Sequence, residues 1–109
     1  MAKKTFERIL LEVVDDALAS LGESARQAIY FHLESMFGLP KSEIPSHLED
    51  FDSGLEKIFG PGARFLEIMI MKKLHAKLNQ PMLWDEDKGL LFVDYVSAAR
   101  QSFLKKERN

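Results

Sequence analysis

The chain has 109 residues, of which 46% are hydrophobic, and this is enough apolar material for one compact domain that folds without covalent cross-links. It contains no cysteine, which excludes disulfides, thiolate metal sites and cysteine nucleophiles. Its 17 acidic and 15 basic residues give a formal charge of −2. This balance argues against nucleic-acid binding, which needs a concentrated positive surface.

The N-terminal residues include charged side chains and lack the uninterrupted apolar core of a signal peptide. No apolar run in the chain approaches the ~20 residues that a membrane-spanning helix needs. The sequence therefore predicts a cytoplasmic protein without membrane association, made of a single helical domain over residues 1–109.

Hydrophobic residues recur every three or four positions, and glycine and proline separate the recurring runs, as in amphipathic helices. The sequence predicts an all-α fold, a compact bundle of about five helices, over residues 5–21, 24–37, 46–59, 61–78 and 87–105. Thr5 and Ser24 are suited to cap the first two helices, and the segment from Ser46 to Glu49 has the form of a capping box for the third. Gly54, in the third helix, is expected to let a neighbouring helix approach closely.

Two of the predicted helices carry wide apolar faces. In the first, apolar residues cover about 200° of the helical wheel, whereas a helix resting on one neighbour needs only ~100°. The first helix therefore has two neighbours within the fold, or one neighbour and a second subunit. The fourth is apolar nearly all round between Phe65 and Met71, which predicts a central helix buried on most sides.

This surplus of apolar surface predicts association, because oligomers bury such patches. We expect a homodimer built on the first and fifth helices. Its candidate interface combines apolar residues of the first helix, a second apolar ridge of the fifth helix and the single tryptophan, which lies in the loop before the fifth helix: Leu11, Val14, Leu18, Trp84, Leu90, Val93 and Leu104.

Motifs that would indicate a catalytic, cofactor or metal site fail on spacing. The segments that begin at Asp50 and Asp85 resemble the start of an EF-hand, but their glycine falls at position 5 instead of 6 and position 12 is not Glu. Gly60-Pro61-Gly62 precedes a helix but lacks the phosphate-binding signatures, so a tight turn between helices is the better interpretation. We therefore predict no catalytic residue, no cofactor and no bound metal.

Two polar residues fall among apolar ones. His32 shares the predicted inner face of the second helix with Ile29 and Met36, so we expect a core or interface histidine. For Glu67, in the most apolar stretch, an exposed glutamate paired with Arg64 is favoured, and a buried carboxylate with a raised pKa is the alternative. His32 and Glu67, if they met in a cavity, would form the polar core of an enzyme or a small-molecule sensor.

A resemblance to a known family is carried by helix faces and turn glycines: AIYFHLESMFGL at 28–39, IFGPGA at 58–63, and Phe51, Leu55, Asp94 and Tyr95. Over about residues 17–104, the chain resembles the archaeal Nitrosopumilus output domain family, small helical domains of uncharacterised function. The resemblance implies an archaeal cytoplasmic protein with a role in signal transduction, and it implies no catalytic or ligand-binding residues.

The leading hypothesis is therefore a protein–protein interaction or signalling output module that acts as a homodimer and meets a signalling protein partner. One alternative is a DNA-binding regulator in which the third and fourth helices form a helix-turn-helix-like pair. The fourth helix is too apolar and the third too acidic for base recognition, which disfavours this alternative. The other is an enzyme or sensor that uses His32 and Glu67.

Overall fold

The computed structural model describes residues 5–78 and 92–108 of the chain. The α-helices in these ranges are α1 (Phe6–Ala19), α2 (Glu23–Phe37), α3 (Leu48–Phe59), α4 (Ala63–Leu78) and α5 (Phe92–Arg108). Two short 3-10 turns, Lys41–Ser46 and Gly60–Gly62, join α2 to α3 and α3 to α4, and the described part holds no strand. The predicted all-α bundle is confirmed, while the predicted start of the fifth helix, at residue 87, lies outside the described residues. None of the described helices is both long and apolar enough to cross a membrane.

The core forms around α1 and α4, which lie side by side in opposite directions. Ser20 Oγ donates to Met69 Sδ at 3.3 Å, and Lys77 Nζ lies 3.9 Å from Glu12 Oε2 further along the pair. α1 also packs against α2 and the Lys41–Ser46 turn, and α4 packs against α3 and α5. The buried residues of α1 are Phe6, Ile9, Leu10, Val13, Val14, Ala17 and Leu18. The wide apolar face of α1 therefore finds its second neighbour within the chain.

The predicted caps are confirmed at one helix and wrong at two. Thr5 Oγ1 accepts a hydrogen bond from a backbone N–H of the first turn of α1, as expected. α2 begins directly after Gly22, whose φ of 108° favours glycine, so Ser24 lies inside the helix instead of capping it. The capping box does not form at Ser46, because this residue ends the 3-10 turn and its Oγ donates to the carbonyl of Glu43.

Gly54 lies where α3 packs against α2, and the predicted close approach is confirmed. A Cβ at this position would lie 2.6 Å from Leu33 Cδ2 and 3.5 Å from Phe37 Cδ2. Leu33 is fully buried, so its side chain has little room to move away. The spacing between α2 and α3 therefore depends on the absence of a side chain at this one position.

A polar cluster centred on Asp15 fixes the rotation of α2 against α1. Asp15 Oδ1 accepts hydrogen bonds from Arg26 Nη1 at 2.8 Å, Tyr30 OH at 2.9 Å and Lys41 Nζ at 3.2 Å. Burial acts to raise the pKa of Asp15, but these three hydrogen bonds outweigh it and hold the pKa below its ordinary value. Arg26 and Tyr30 therefore turn toward α1, and the inner face of α2 is rotated from the predicted one.

Candidate functional site

Glu67 lies buried where α4 packs against α3. The residue is 8% exposed, and its Oε2 has no hydrogen-bond partner among the residues that the structure describes. Its carboxyl group shares a side-chain hydrogen bond with Asp52 of α3. The favoured prediction of an exposed Glu67 is therefore wrong, because α3 covers this side of α4. The alternative, a buried carboxyl group, is confirmed.

The surroundings of Glu67 favour the protonated form of its carboxyl group. Burial, the hydrogen bond with Asp52 and the negative charges of Asp52 and Glu56 raise the pKa of Glu67 to about 9, and Arg64 opposes them. Two carboxyl groups share a hydrogen bond only when one of them is protonated. Glu67 therefore holds its proton at neutral pH, within the hydrogen bond that it shares with Asp52.

His32 lies apart from this carboxyl pair. It is exposed on the outer side of α2, where its ring stands edge-on to Phe31 with 5.8 Å between ring centroids. The prediction of a core histidine is wrong, because the Asp15 cluster rotates α2 and brings Tyr30 inward. A polar core made of His32 and Glu67 does not form, whereas an interface histidine stays a prediction.

The carboxyl pair can hold and release one proton. Within residues 5–78 and 92–108, no group of three or more His, Asp or Glu residues is arranged to hold a metal ion. Sequence reasoning missed Asp52, although a signal was present. Asp52 lies four residues after Leu48 and three before Leu55, at the edge of the buried stripe of α3, where its side chain reaches the neighbouring helix.

Most of the described residues of the predicted dimer interface pack within the chain itself. Val14 and Leu18 are fully buried, and Leu11 and Val93 are half-buried against the core. The prediction that Val14 and Leu18 meet a second subunit is therefore wrong, because α2, α4 and the 3-10 turn already cover α1. Two further members of that interface, Trp84 and Leu90, lie outside the described residues.

Apolar surface does remain exposed, mostly on helices other than α1. The large exposed apolar side chains of the described part are Leu21, Phe31, Met36, Phe65 and Leu104. Among the described residues of the predicted interface, Leu104 is thus the one that is clearly exposed. Phe65 is 76% exposed, so α4 is less enclosed than its apolar sequence predicted. Phe31 and Met36 are 67% and 66% exposed, since the rotation of α2 turns them outward.

Two exposed faces differ in charge. The α2 face, defined as Ala28, Phe31, His32, Ser35 and Met36, consists of exposed residues and contains no Asp, Glu, Lys or Arg. The helical wheel groups these residues on one side, but a sequence cannot show that this side faces outward.

The α4 face is defined as Phe65, Ile68 and Met69, flanked by Arg64 and Lys73. Phe65 is exposed, and the other two apolar residues are half-buried. Arg64 lies four residues before Ile68 and Lys73 four residues after Met69, so one base borders each side of the apolar stripe. This face is apolar from Phe65 to Met69, has a base at each side, and ends one turn later at the exposed Lys72.

The described part of the chain is a small all-α bundle with a carboxyl pair, in which Glu67 is buried and Asp52 half-buried, and with exposed apolar residues on α2 and α4. Comparison of the chain with protein-family models, with curated proteins and with solved structures gives no match. The likeness to the Nitrosopumilus output domain family therefore stays a prediction.

Proposed function

We propose that this chain is a protein–protein interaction module that acts as a homodimer, in which two copies meet through the α2 face. The observation that carries the proposal is the exposure of Phe31 and Met36 on the outer side of α2. Aromatic residues and methionine are enriched at protein interfaces, and grouped apolar residues on a surface mark interaction sites.

The lack of charge on the α2 face favours a second copy of the same chain as the partner. Around a two-fold axis the same patch meets itself, so a charge near the axis would oppose a like charge. Ala28 and Ser35 lie one turn before and after Phe31, and their small side chains leave room for the partner's aromatic ring. The charged group of Arg26, on the same helix, is turned away toward Asp15.

The role in signal transduction, in an archaeal cytoplasm, is part of this proposal and comes from the family resemblance alone. Reversible association suits an output domain, because a partner that binds one association state more tightly shifts the balance between the two. A contact through one helix face is small, so we expect a weak dimer with a dissociation constant in the micromolar range.

The alternatives have less support. For DNA binding, α3 exposes Glu49, Asp50 and Glu56, which repel phosphates, and α4 packs against three other helices. An enzyme or sensor built on His32 and Glu67 would need the two side chains to lie together. His32 is instead exposed on α2, and Glu67 is buried between α3 and α4.

Sedimentation equilibrium or light scattering at roughly 100 µM tests the dimer, at a concentration above the expected dissociation constant. The wild-type mass should approach twice the 12.5 kDa of one chain. Phe31→Glu should restore the single-chain mass, because it places two like charges at the two-fold axis. Phe65→Glu, a matched change of an exposed phenylalanine on another helix, should leave the dimer intact. A wild-type chain that stays at 12.5 kDa rules out the homodimer.

A further inference from the structure

The α4 face is a second exposed apolar surface, and neighbouring residues extend it. Phe65 and Met69 lie one turn apart on the helix, where aromatic and methionine side chains contact each other. Met69 Sδ accepts a hydrogen bond from Ser20 Oγ, which brings the end of α1 beside it. The next residue, Leu21, is exposed as well. The apolar surface therefore runs from α4 to the connection between α1 and α2.

The charged side chains that α4 itself contributes to this surface are positive. α4 contains a single acidic residue, Glu67, and that residue is buried on the side facing α3. Arg64 and Lys73 form no ion pair with any residue that the structure describes. Arg26 and Lys77, in contrast, lie within ion-pair distance of α1 carboxylates. Among the described residues, Arg64 and Lys73 thus have no carboxylate within ion-pair distance, and they can meet the carboxylates of a partner.

We infer that the α4 face docks an amphipathic helix of a protein partner, one with an apolar stripe bordered by acidic residues; this inference rests on the proposed role as an interaction module. An apolar helix stripe covers Phe65, Ile68 and Met69, and flanking carboxylates meet Arg64 and Lys73. Helix-in-groove recognition uses this combination of apolar anchors and complementary charge.

The same charges argue against a second copy of this chain as the occupant. Two α4 faces related by a two-fold axis would bring Arg64 and Lys73 of one copy close to the same residues of the other. Nucleic acid is disfavoured because the centre of the face is apolar, and the chain as a whole carries a net charge of −2.

A library of helical peptides with randomised outward positions, selected on the full chain, tests the inference. We expect the selected peptides to carry apolar residues at helical spacing and an excess of Asp and Glu beside them. Synthetic copies should bind with micromolar affinity in fluorescence polarisation. An absence of enrichment, or selected peptides without an acidic excess, overturns the inference.

Matched variants locate the binding site. Phe65→Ser should weaken peptide binding by roughly tenfold or more, as expected for an aromatic anchor at the centre of an interface. Arg64→Glu with Lys73→Glu should abolish the preference for acidic peptides. Phe31→Ser and Lys57→Glu change an exposed aromatic residue and an exposed base elsewhere, and both should leave binding unchanged. Equal binding by wild type and Phe65→Ser contradicts the inference.

Two further measurements separate the occupants and the two proposals. Retardation of a DNA duplex at ~50 mM salt that disappears in the Arg64→Glu, Lys73→Glu variant would identify the face as a nucleic-acid site and overturn the inference. Loss of the dimer in Phe65→Ser would identify the α4 face as the contact between two copies of this chain, and this too would overturn the inference. Peptide binding by monomeric Phe31→Glu supports docking even if the homodimer fails, and a dimer that binds no peptide overturns docking alone.

Discussion

A carboxyl group that keeps its proton at neutral pH makes the stability of the fold depend on pH. Glu67 has an ordinary pKa of 4.5 in the unfolded chain and a pKa of about 9 in the folded one. Below a pH of about 4.5, Glu67 is protonated in both states and does not change the free energy of unfolding. Between the two values, the unfolded chain gains the ionised form while the folded chain must hold the proton, so stability falls as the pH rises.

Replacement of Glu67 by Gln should stabilise the protein in a pH-dependent way. The amide keeps the size of the side chain and can still donate to Asp52, but it does not ionise in either state. Near pH 4 the two proteins should have similar free energies of unfolding, and at neutral pH the variant should be more stable by on the order of 2 kcal/mol. Urea unfolding followed by circular dichroism at about pH 4, 6 and 8 measures the difference.

Glu56→Gln is the matched control, because it removes a nearby carboxylate that is exposed. Its effect on the free energy of unfolding should stay within about 0.5 kcal/mol at neutral pH. A stabilisation by Glu67→Gln that is equally large near pH 4 and pH 8 would show that the proton of Glu67 is not the cause.

At the scale of the helix, two features position α2. One is its close packing against Gly54, which has no side chain, and the other is the polar cluster around Asp15. Gly54 sets its distance from α3, since Leu33 occupies the space that a Cβ would need. Asp15 sets its rotation through Arg26 and Tyr30. These two contacts together decide which side of α2 is exposed, and hence where the proposed dimer surface lies.

Gly54→Ala should destabilise the protein, although alanine is the better helix former. The gain in helix propensity is about 1 kcal/mol, whereas overpacking a filled core costs about 1–3 kcal/mol. We expect a net loss of roughly 1 kcal/mol in the free energy of unfolding, measured by urea denaturation.

Gly62→Ala is the control for that change, because a Cβ at Gly62 meets only Phe59 Cβ, at an ordinary 3.8 Å. This variant should be neutral or slightly stabilised, by up to about 1 kcal/mol. If Gly54→Ala were as stable as Gly62→Ala, the close contact with Leu33 would not be what requires glycine.

For the whole molecule, the core and the exposed faces consist of different residues. The interior between α1, α3, α4 and α5 includes Phe51 and Leu74, both fully buried. The α2 and α4 faces carry exposed aromatic residues that contribute little to this core. The residues proposed for association can therefore be replaced without loss of the fold.

This separation predicts that exposed and buried phenylalanines respond differently to truncation. Phe31→Ala and Phe65→Ala should each change the free energy of unfolding by no more than about 0.5 kcal/mol, whereas Phe51→Ala should cost about 3–5 kcal/mol. Thermal and urea unfolding at ~1 µM, where the expected micromolar dimer is largely dissociated, measures the chain alone. A loss above about 2 kcal/mol for Phe65→Ala would mean that Phe65 packs in the fold and is not free to meet a partner.

The local pattern of the chain was sufficient to predict the helices, the Thr5 cap and the role of Gly54, because helical periodicity, capping and the size of glycine are properties of short segments. It was not sufficient to predict which side of each helix faces inward. Val14 and Leu18 were assigned to an interface but are buried within the chain, and His32, expected in the core or at an interface, is not in the core. The rotation of a helix depends on contacts between residues far apart in sequence, such as the hydrogen bond from Tyr30 to Asp15. For the same reason only the tertiary structure paired Glu67 with Asp52 and exposed Phe31 and Phe65.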